Sequence, residues 1–250
     1  MPRRIARSAQ GDGPLAWAPR TSLAGPLMIL FHAAGASSQA PHILLREAAL
    51  PFSLEHVDLL HHSWSGGDYR AVNPKAYVPA LRLDDGGLLT ECAVILQWIA
   101  DHAPTSRLIP AAGTPARYRS LEWLNFIATE LHKNFITPER HGGVAANFLS
   151  RTEAGQAQTR LHVAPRLAYV EQCLRGRAFL DGEDFTAPDA YLFTMLTWAG
   201  RIGLGLTEWP NLQAFFDRTR QRASVRETLE VEGPPHALLE SRTRHAQDLP

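Results

Sequence analysis

The hydrophobic pattern of this chain changes character near residue 104, and that change limits the folds open to it. Between residues 28 and 104, short apolar runs of strand length alternate with helical segments. From residue 115 onward only helical periodicity remains, with the apolar face Trp123, Phe126, Ile127 and Leu131 as an example. Strands that give way to a run of helices predict an α/β domain followed by an all-α domain.

The first region predicts a β-α-β unit followed by a β-hairpin and a helix, in a domain placed at residues 28–104. The turn Asp84-Asp-Gly-Gly87 supports the hairpin, because Asp and Gly tolerate the positive φ that tight reversals need. The expected strands are residues 28–32, 52–58, 79–83 and 88–90, and the expected helices are residues 38–49 and 91–102.

The second region predicts a helical domain at residues 113–230, with helices at residues 115–140, 152–175, 188–200 and 210–222. The segment Thr186-Ala-Pro-Asp189 opens one of these helices, with Thr186 as N-cap and Asp189 as the acidic member of a capping box, a structural role for both. Residues 1–27 show no sustained period and are expected to be a disordered extension, and residues 231–250 a polar tail.

Composition argues against several classes of function. The 250 residues carry 25 Lys and Arg against 25 Asp and Glu, so no basic field favours nucleic acid or an anionic membrane. No apolar run approaches the roughly 20 residues that a membrane span requires, and no secretory signal is evident, so a cytoplasmic protein is expected. Cys92 and Cys173 lack C-x-x-C spacing, which argues against a disulfide framework and a cysteine zinc site.

Two adjacent hydroxyls, Ser37 and Ser38, stand between the first strand and the first helix. One serine at such a junction suffices as an N-cap, whose oxygen accepts from amides one turn on and contributes about 1 kcal/mol. The residues alone leave open whether the other serine faces a ligand.

Four motifs, in this order along the chain, resemble those of the glutathione transferases. They are Asn73–Leu81 (NPKAYVPAL), Leu88–Ile95 (LLTECAVI), Glu122–Lys133 (EWLNFIATELHK) and Phe185–Phe193 (FTAPDAYLF). The last two resemble the bacterial beta class, and the likeness covers roughly residues 28–230. It implies an N-terminal thioredoxin-like domain, a C-terminal helical-bundle domain and a homodimer.

The resemblance also implies an activity. Glutathione would be the co-substrate, without a metal, and its thiolate would attack small hydrophobic electrophiles, a detoxification reaction. The pocket for the electrophile is expected at the start of the helical domain, with Phe126, Phe135 and Trp198 among its walls. Two alternatives stay open: peroxide reduction by the same thiolate, and a non-catalytic protein that binds glutathione or a hydrophobic ligand.

The first two motifs imply the contacts that hold the peptide. The Val78-Pro79 bond is expected to be cis, so that Val78 binds the cysteinyl part through its main chain, with Tyr77 beside it. Glu91 and Cys92, at a helix N-terminus, would bind the γ-glutamyl end, although a serine is common at position 92. Without the motifs, the same residues read as a trans proline ending a loop and as a carboxylate facing a helix dipole.

Ser37 occupies the position that typically holds a cysteine in the beta class, so a mixed disulfide with glutathione is not expected here. What remains is a hydrogen bond from a hydroxyl to the glutathione sulfur, which stabilises the thiolate, the nucleophilic form. A free thiol with a pKa of about 8.5 is only a few per cent ionised at pH 7. We expect Ser37 to be this donor and Ser38 to be the cap or a second donor.

Histidines supply the last candidates. The resemblance places His132 opposite the sulfur across the domain boundary, where a neutral imidazole could take the thiol proton or an imidazolium could stabilise the thiolate. Asn125 and Thr129 are expected on the same helix face, as binding residues. His42 is expected to support the first loop, and His62 to stand where relatives often present a lysine to the glycyl carboxylate. Adjacent histidines at positions 61 and 62 do not converge on a metal.

Overall fold

The first domain is built around a four-stranded sheet in the order β2-β1-β5-β6. The computed structural model describes residues 28–136 and 149–233. Strand β1 pairs in parallel with β2 and antiparallel with β5, which pairs antiparallel with β6, and this confirms the predicted β-α-β unit and hairpin. A short antiparallel pair, β3 and β4, was not predicted. The strands are β1 (Met28–His32), β2 (Phe52–His56), β3 (Ser63–Trp64), β4 (Gly67–Asp68), β5 (Ala80–Arg82) and β6 (Leu88–Thr90).

Both faces of this sheet are covered, which explains why β1 is apolar almost throughout. Leu30 and Phe31 are adjacent and fully buried, yet they belong to different clusters because successive strand residues point to opposite faces. Leu30 packs with residues of helices α1 (Gln39–Glu47) and α2 (Cys92–His102). Phe31 packs with Tyr69 and with residues of the segment that precedes β5.

The helical domain begins with one continuous helical segment in three parts: α3 (Pro115–Phe126), a π-helix (Ile127–His132) and α4 (Lys133–Phe135). The end of the helix predicted for residues 115–140 lies outside the described residues. The remaining helices are α5 (Glu153–Cys173), α6 (Ala187–Arg201), α7 (Pro210–Arg220) and α8 (Ala223–Glu232).

Helix α6 is the centre of this domain, because every residue from Ala187 to Ala199 is buried. Its capping box forms as predicted: the buried carboxylate of Asp189 accepts from the Thr186 amide at 2.8 Å. The same carboxylate accepts from the Thr186 hydroxyl at 2.8 Å and from the Leu180 amide at 2.9 Å. Burial raises the pKa of Asp189 to about 7, although all three of these bonds favour the ionised form.

Helix α8 was not predicted, and it carries regular structure past the expected start of the tail at residue 231. Its buried positions are mostly polar: Ser224, Val225, Thr228 and Glu232. An apolar period therefore does not mark it in the sequence. The predicted extension at residues 1–27 and the tail beyond residue 233 lie outside the described residues. None of the helices described is long and apolar enough to cross a membrane.

The two domains meet at the loop that joins β1 to α1. The Gly35 amide donates to Glu232 Oε2 of α8 at 3.0 Å, and the Gly35 carbonyl accepts from Trp198 Nε1 at 2.9 Å and from Arg201 at 2.8 Å, both of α6. His42 Nδ1 lies 2.8 Å from Glu232 Oε1, with both side chains fully buried. The loop that carries Ser37 is therefore held by helices far away in the sequence.

Candidate functional site

A cavity of about 360 Å³ lies between the two domains, beside the loop that carries Ser37. The first domain contributes the β1–α1 loop, the segment around the Val78-Pro79 bond and the start of α2. The helical domain contributes the π-helix, the residues just after it and α6. The sequence-predicted residues that line the cavity are Ser37, Tyr77, Val78, Pro79, Glu91, Cys92, His132 and Trp198.

The two serines face different surroundings. Ser37 lines the cavity, and its hydroxyl donates to the Val78 carbonyl at 3.2 Å. Ser38 is fully buried, and its hydroxyl exchanges hydrogen bonds of 3.2 Å with the amide and carbonyl of Ala33. Ser38 makes no side-chain cap bond to α1, in contrast to the predicted cap, because its oxygen is already engaged by the loop.

The segment before β5 presents main-chain groups to the cavity. The Val78-Pro79 peptide bond is cis, as the resemblance implied. The Tyr77 carbonyl is fixed by two side chains, accepting from Tyr69 Oη at 2.9 Å and from Asn73 Nδ2 at 2.8 Å. These bonds hold the bend in one conformation, so the position of the Val78 main chain is set before any ligand arrives.

Glu91 is the residue before α2, and its backbone conformation is unusual for a helix N-cap. Its φ is 68°, in the left-handed region that non-glycine residues seldom adopt, and its side chain makes no cap bond to the helix. Instead its carboxylate accepts from Lys75 Nζ at 2.5 Å at the cavity wall, and Lys75 also donates to Thr90 Oγ1 at 2.8 Å. The prediction of site residues missed Lys75, although it stands inside the NPKAYVPAL motif.

Cys92 is a buried hydrogen-bond donor in this structure. Its thiol donates to the Ser37 carbonyl at 3.5 Å, and burial raises the pKa of the thiol well above its usual range. A thiol that stays protonated is a poor nucleophile, so Cys92 is unsuited to nucleophilic chemistry here.

His132 is the last residue of the π-helix and faces the cavity from the helical domain. Its Nδ1 lies 2.5 Å from the hydroxyl of Tyr191, a buried residue of α6 that also lines the cavity. The ring packs edge-to-face against Trp198, with 5.1 Å between centroids. Tyr191 was not predicted as a site residue, and the only sequence signal for it is its place in the FTAPDAYLF motif.

Asn125 and Thr129 do not line the cavity, and Thr129 Oγ1 donates to the Asn125 carbonyl at 3.0 Å. The prediction assumed the α-helical repeat of 3.6 residues, whereas the π-helix has a wider turn and moves His132 out of line with them. Among the aromatic residues expected around the electrophile, Phe135 is buried in the core and Phe126 packs against Trp123 and Tyr169.

The other histidines named in the sequence analysis lie outside the cavity lining. His42 is fully buried against Glu232, a contact that joins the domains, and it accepts from Arg46 Nε at 3.0 Å. His61 Nδ1 lies 2.7 Å from an Asp58 carboxylate oxygen, and His62 is outside the cavity lining. Within residues 28–136 and 149–233, no group of histidine, cysteine and carboxylate side chains could hold a metal ion.

Comparison with known proteins agrees with this architecture. The family model for the glutathione S-transferase N-terminal domain matches residues 36–102, and that for the C-terminal domain matches residues 154–218. Glutathione S-transferase GstA of Escherichia coli O157:H7 is 41% identical over 213 residues, which cover 82% of this chain and 99% of that protein.

Solved structures give the same result. A glutathione transferase from Methylococcus capsulatus is 44% identical with a TM-score of 0.74, covering 83% of this chain and 99% of that one. A sphingomonad glutathione S-transferase complexed with glutathione is 37% identical with a TM-score of 0.74, covering 82% and 98%. The chain therefore belongs to the glutathione S-transferase family of enzymes, with a thioredoxin-like domain followed by a helical domain.

Proposed function

We propose that this protein binds glutathione in the interdomain cavity and transfers it to small hydrophobic electrophiles, with the Ser37 hydroxyl stabilising the thiolate. The observation that carries this proposal is the position of Ser37, at the cavity wall and 3.2 Å from the carbonyl of Val78. A sphingomonad relative at 37% identity has been solved with glutathione bound, which supports the choice of peptide.

Binding of the peptide would release the Ser37 hydroxyl for its chemical role. In this structure the hydroxyl donates to the Val78 carbonyl. The cysteinyl amide of glutathione, paired with Val78 as an added strand, would take that acceptor instead. The hydroxyl then turns to the nearest strong acceptor, which is the sulfur of the same cysteinyl residue. A hydrogen bond to an ionised sulfur lowers the thiol pKa, at about 1.4 kcal/mol for each unit.

The γ-glutamyl end of glutathione carries both an ammonium and a carboxylate, and the cavity offers a partner for each. The Glu91 carboxylate would bind the ammonium, and Lys75 Nζ, now 2.5 Å from Glu91, would share the carboxylate with the amides at the start of α2. The left-handed φ of Glu91 supports this assignment, because such strain persists mostly where a functional site requires it.

The electrophile would enter from the helical side of the cavity. Ala128, Ile136 and Trp198 line that side and offer apolar surface next to His132. This apolar wall supports a small hydrophobic substrate, a class consistent with detoxification. Binding roles for His62, Asn125 and Thr129 stay predictions, since these residues lie outside the cavity lining.

We propose a homodimer that works in the cytoplasm. Val94 of α2 is 46% exposed and Tyr118 of α3 is 64% exposed. Large apolar side chains exposed to solvent support a subunit interface that includes these two helices. Cytoplasm is supported by the substrate, because reduced glutathione is maintained in that compartment. Light scattering and cell fractionation test the two statements, and a monomer or a secreted protein would contradict them.

The experiment that tests the function has two parts. The protein should be retained on immobilised glutathione and released by the free peptide, and it should conjugate glutathione to 1-chloro-2,4-dinitrobenzene. Glu91→Gln should raise the KM for glutathione about tenfold, because an ionic hydrogen bond is lost, while Glu227→Gln on the surface of α8 should leave it unchanged. Retention without conjugation of any electrophile would reduce the function to binding, and failure to bind glutathione would overturn the proposal.

A further inference from the structure

We propose that the buried hydroxyl of Tyr191 sets the chemical role of His132, by donating a hydrogen bond to Nδ1 and keeping the imidazole proton on Nε2. His132 is then a hydrogen-bond donor toward the glutathione sulfur and does not act as the base that removes the thiol proton. This inference rests on the proposed function and decides between the two roles that the sequence leaves open for His132.

The imidazole ring is held in one orientation. Its Nδ1 lies 2.5 Å from Tyr191 Oη, and its ring packs edge-to-face with both Tyr191 and Trp198, at centroid distances of 5.8 and 5.1 Å. Tyr191 and Trp198 are each 1% exposed and belong to the buried helix α6. Turning the ring over about the Cβ–Cγ bond would put Cδ2 where Nδ1 lies and would remove this hydrogen bond, so Nδ1 is the nitrogen that meets the hydroxyl.

The direction of the hydrogen bond follows from the other neighbour of Tyr191. The Cys92 thiol also contacts the Tyr191 hydroxyl, and it donates to the Ser37 carbonyl at 3.5 Å. A thiol sulfur is a weak acceptor, whereas an unprotonated imidazole nitrogen is a strong one. Tyr191 therefore donates to His132. Burial raises the pKa of Tyr191 well above its usual value, so the phenol keeps its proton at neutral pH.

The tautomer of His132 follows from the number of N–H groups on a neutral imidazole. A neutral imidazole carries one N–H, and when Nδ1 accepts, that proton must be on Nε2. An Nε2–H has no lone pair for a thiol proton, but it can donate to a thiolate. The proton that the thiol loses on binding would leave to solvent. Ser37 and His132, from different domains, would then supply two donors for one sulfur.

Nuclear magnetic resonance of the histidine side chains tests the tautomer without any assay of activity. In protein labelled with ¹⁵N, Nε2 of His132 should show the chemical shift of a protonated nitrogen and Nδ1 that of an acceptor. Tyr191→Phe should produce a mixture of tautomers at His132. The matched control is Tyr169→Phe, because Tyr169 also contacts a cysteine, Cys173, but is half exposed, packs against Trp123 and Phe126 and lies outside the cavity lining. A protonated Nδ1 in the unmodified protein, or a tautomer that Tyr191→Phe leaves unchanged, would overturn the inference.

Steady-state kinetics gives a second readout. His132→Gln keeps an N–H donor near the position of Nε2, so it should retain more activity than His132→Ala, whereas a base role would make the two variants equally poor. Tyr191→Phe should lower kcat/KM about five- to tenfold in the unmodified background and have no further effect in His132→Ala. Equal losses in both backgrounds would assign Tyr191 a purely structural role. Because the spectra need no glutathione, a failure of the inference stays distinguishable from a failure of the proposed function.

Discussion

The two walls of the cavity are built in different ways. The wall from the thioredoxin-like domain is shaped by main-chain features: the cis Val78-Pro79 bond, the positive φ of Glu91 and the strand-to-helix loop that carries Ser37. The wall from the helical domain includes His132, which the π-helix positions, and Trp198 of α6, which packs against the His132 ring. The first wall offers main-chain groups and the Ser37 hydroxyl, and the second adds side chains from the other domain, His132 among them.

This difference predicts that binding through main-chain groups tolerates side-chain substitution better than chemistry that depends on one side chain. A main-chain contact survives most side-chain changes, so the main-chain groups around the Val78-Pro79 bond should tolerate substitution of nearby side chains. A side-chain donor has no such protection. We therefore expect a substitution of Ser37 to change the chemistry at the sulfur and to leave the loop in place, because the loop is anchored through Gly35.

The junction of the walls should give the largest effect. Glu232→Ala removes the acceptor shared by the Gly35 amide and His42, leaving buried donors without partners. The free energy of unfolding should fall by about 2–4 kcal/mol in urea titrations. Glu227→Ala is the matched control on α8, where the side chain is 55% exposed and pairs only at the surface with Arg46. Its expected cost is about 0.5 kcal/mol or less, and equal losses for the two variants would contradict the account.

Substitutions of the two serines should have different effects, one on activity and the other on stability. Ser37→Ala should lower kcat/KM for conjugation about tenfold, because the sulfur loses a donor, with little change in stability. Ser38→Ala should do the reverse, lowering the free energy of unfolding by about 1 kcal/mol because the Ala33 amide and carbonyl lose their partner. Kinetics and urea titrations of both variants check this, and the opposite pattern would exchange the roles assigned to the serines.

Acid should weaken the first domain through His32. Burial lowers the pKa of His32 to about 4. The positive charges of His42 and His56 lower this pKa further, whereas the carboxylate of Glu232 raises it. The unfolded chain therefore binds a proton in a pH range where the folded protein does not, and stability present above pH 6.5 is lost as the pH falls toward 4.

His32→Phe should reduce the stability difference between about pH 7 and pH 5 by about 1–2 kcal/mol, because the group that titrates is gone. Urea titrations at the two pH values measure the difference. His162→Phe, at an exposed position of α5, should leave it unchanged. If His32→Phe keeps the full acid sensitivity, other groups cause it and the burial of His32 does not.

The smallest effects should come from two residues that the motif spacing predicts at the site but that lie outside the cavity lining. Asn125→Ala and Thr129→Ala should each leave the KM for glutathione within about twofold, since neither side chain lines the cavity. Lys75→Met should raise that KM about fivefold, because a cation beside Glu91 is lost. A larger effect at Asn125 or Thr129 than at Lys75 would restore the prediction from spacing.

The elements that the sequence predicts correctly are those with local signals. The hairpin between β5 and β6 is marked by its Asp-Gly turn, where Gly86 has a φ of 87°, and α6 is marked by its capping box. Helix α8 lacks such a mark because its buried face is mostly polar. The role of its Glu232 becomes evident only from the contacts with Gly35 and His42, which are distant in the sequence.

Part of the site escaped prediction for the same reason. Val78 and Glu91 lie in short motifs, Ser37 stands at a strand-to-helix junction that the sequence marks locally, and all three line the cavity. Tyr191 is one of three buried aromatic residues in α6, and the three-dimensional contact with His132 distinguishes it. The π-helix inserts a wider turn into an otherwise regular apolar period, which helical spacing cannot reveal.

Ultraviolet titration of the thiolate in the glutathione complex tests the central claim most directly. The bound sulfur should ionise at a lower pH than that of free glutathione, by about one to two pKa units, and Ser37→Ala should return most of that difference. A bound thiol that titrates like the free peptide, or one whose titration Ser37→Ala does not move, would contradict the assignment of Ser37.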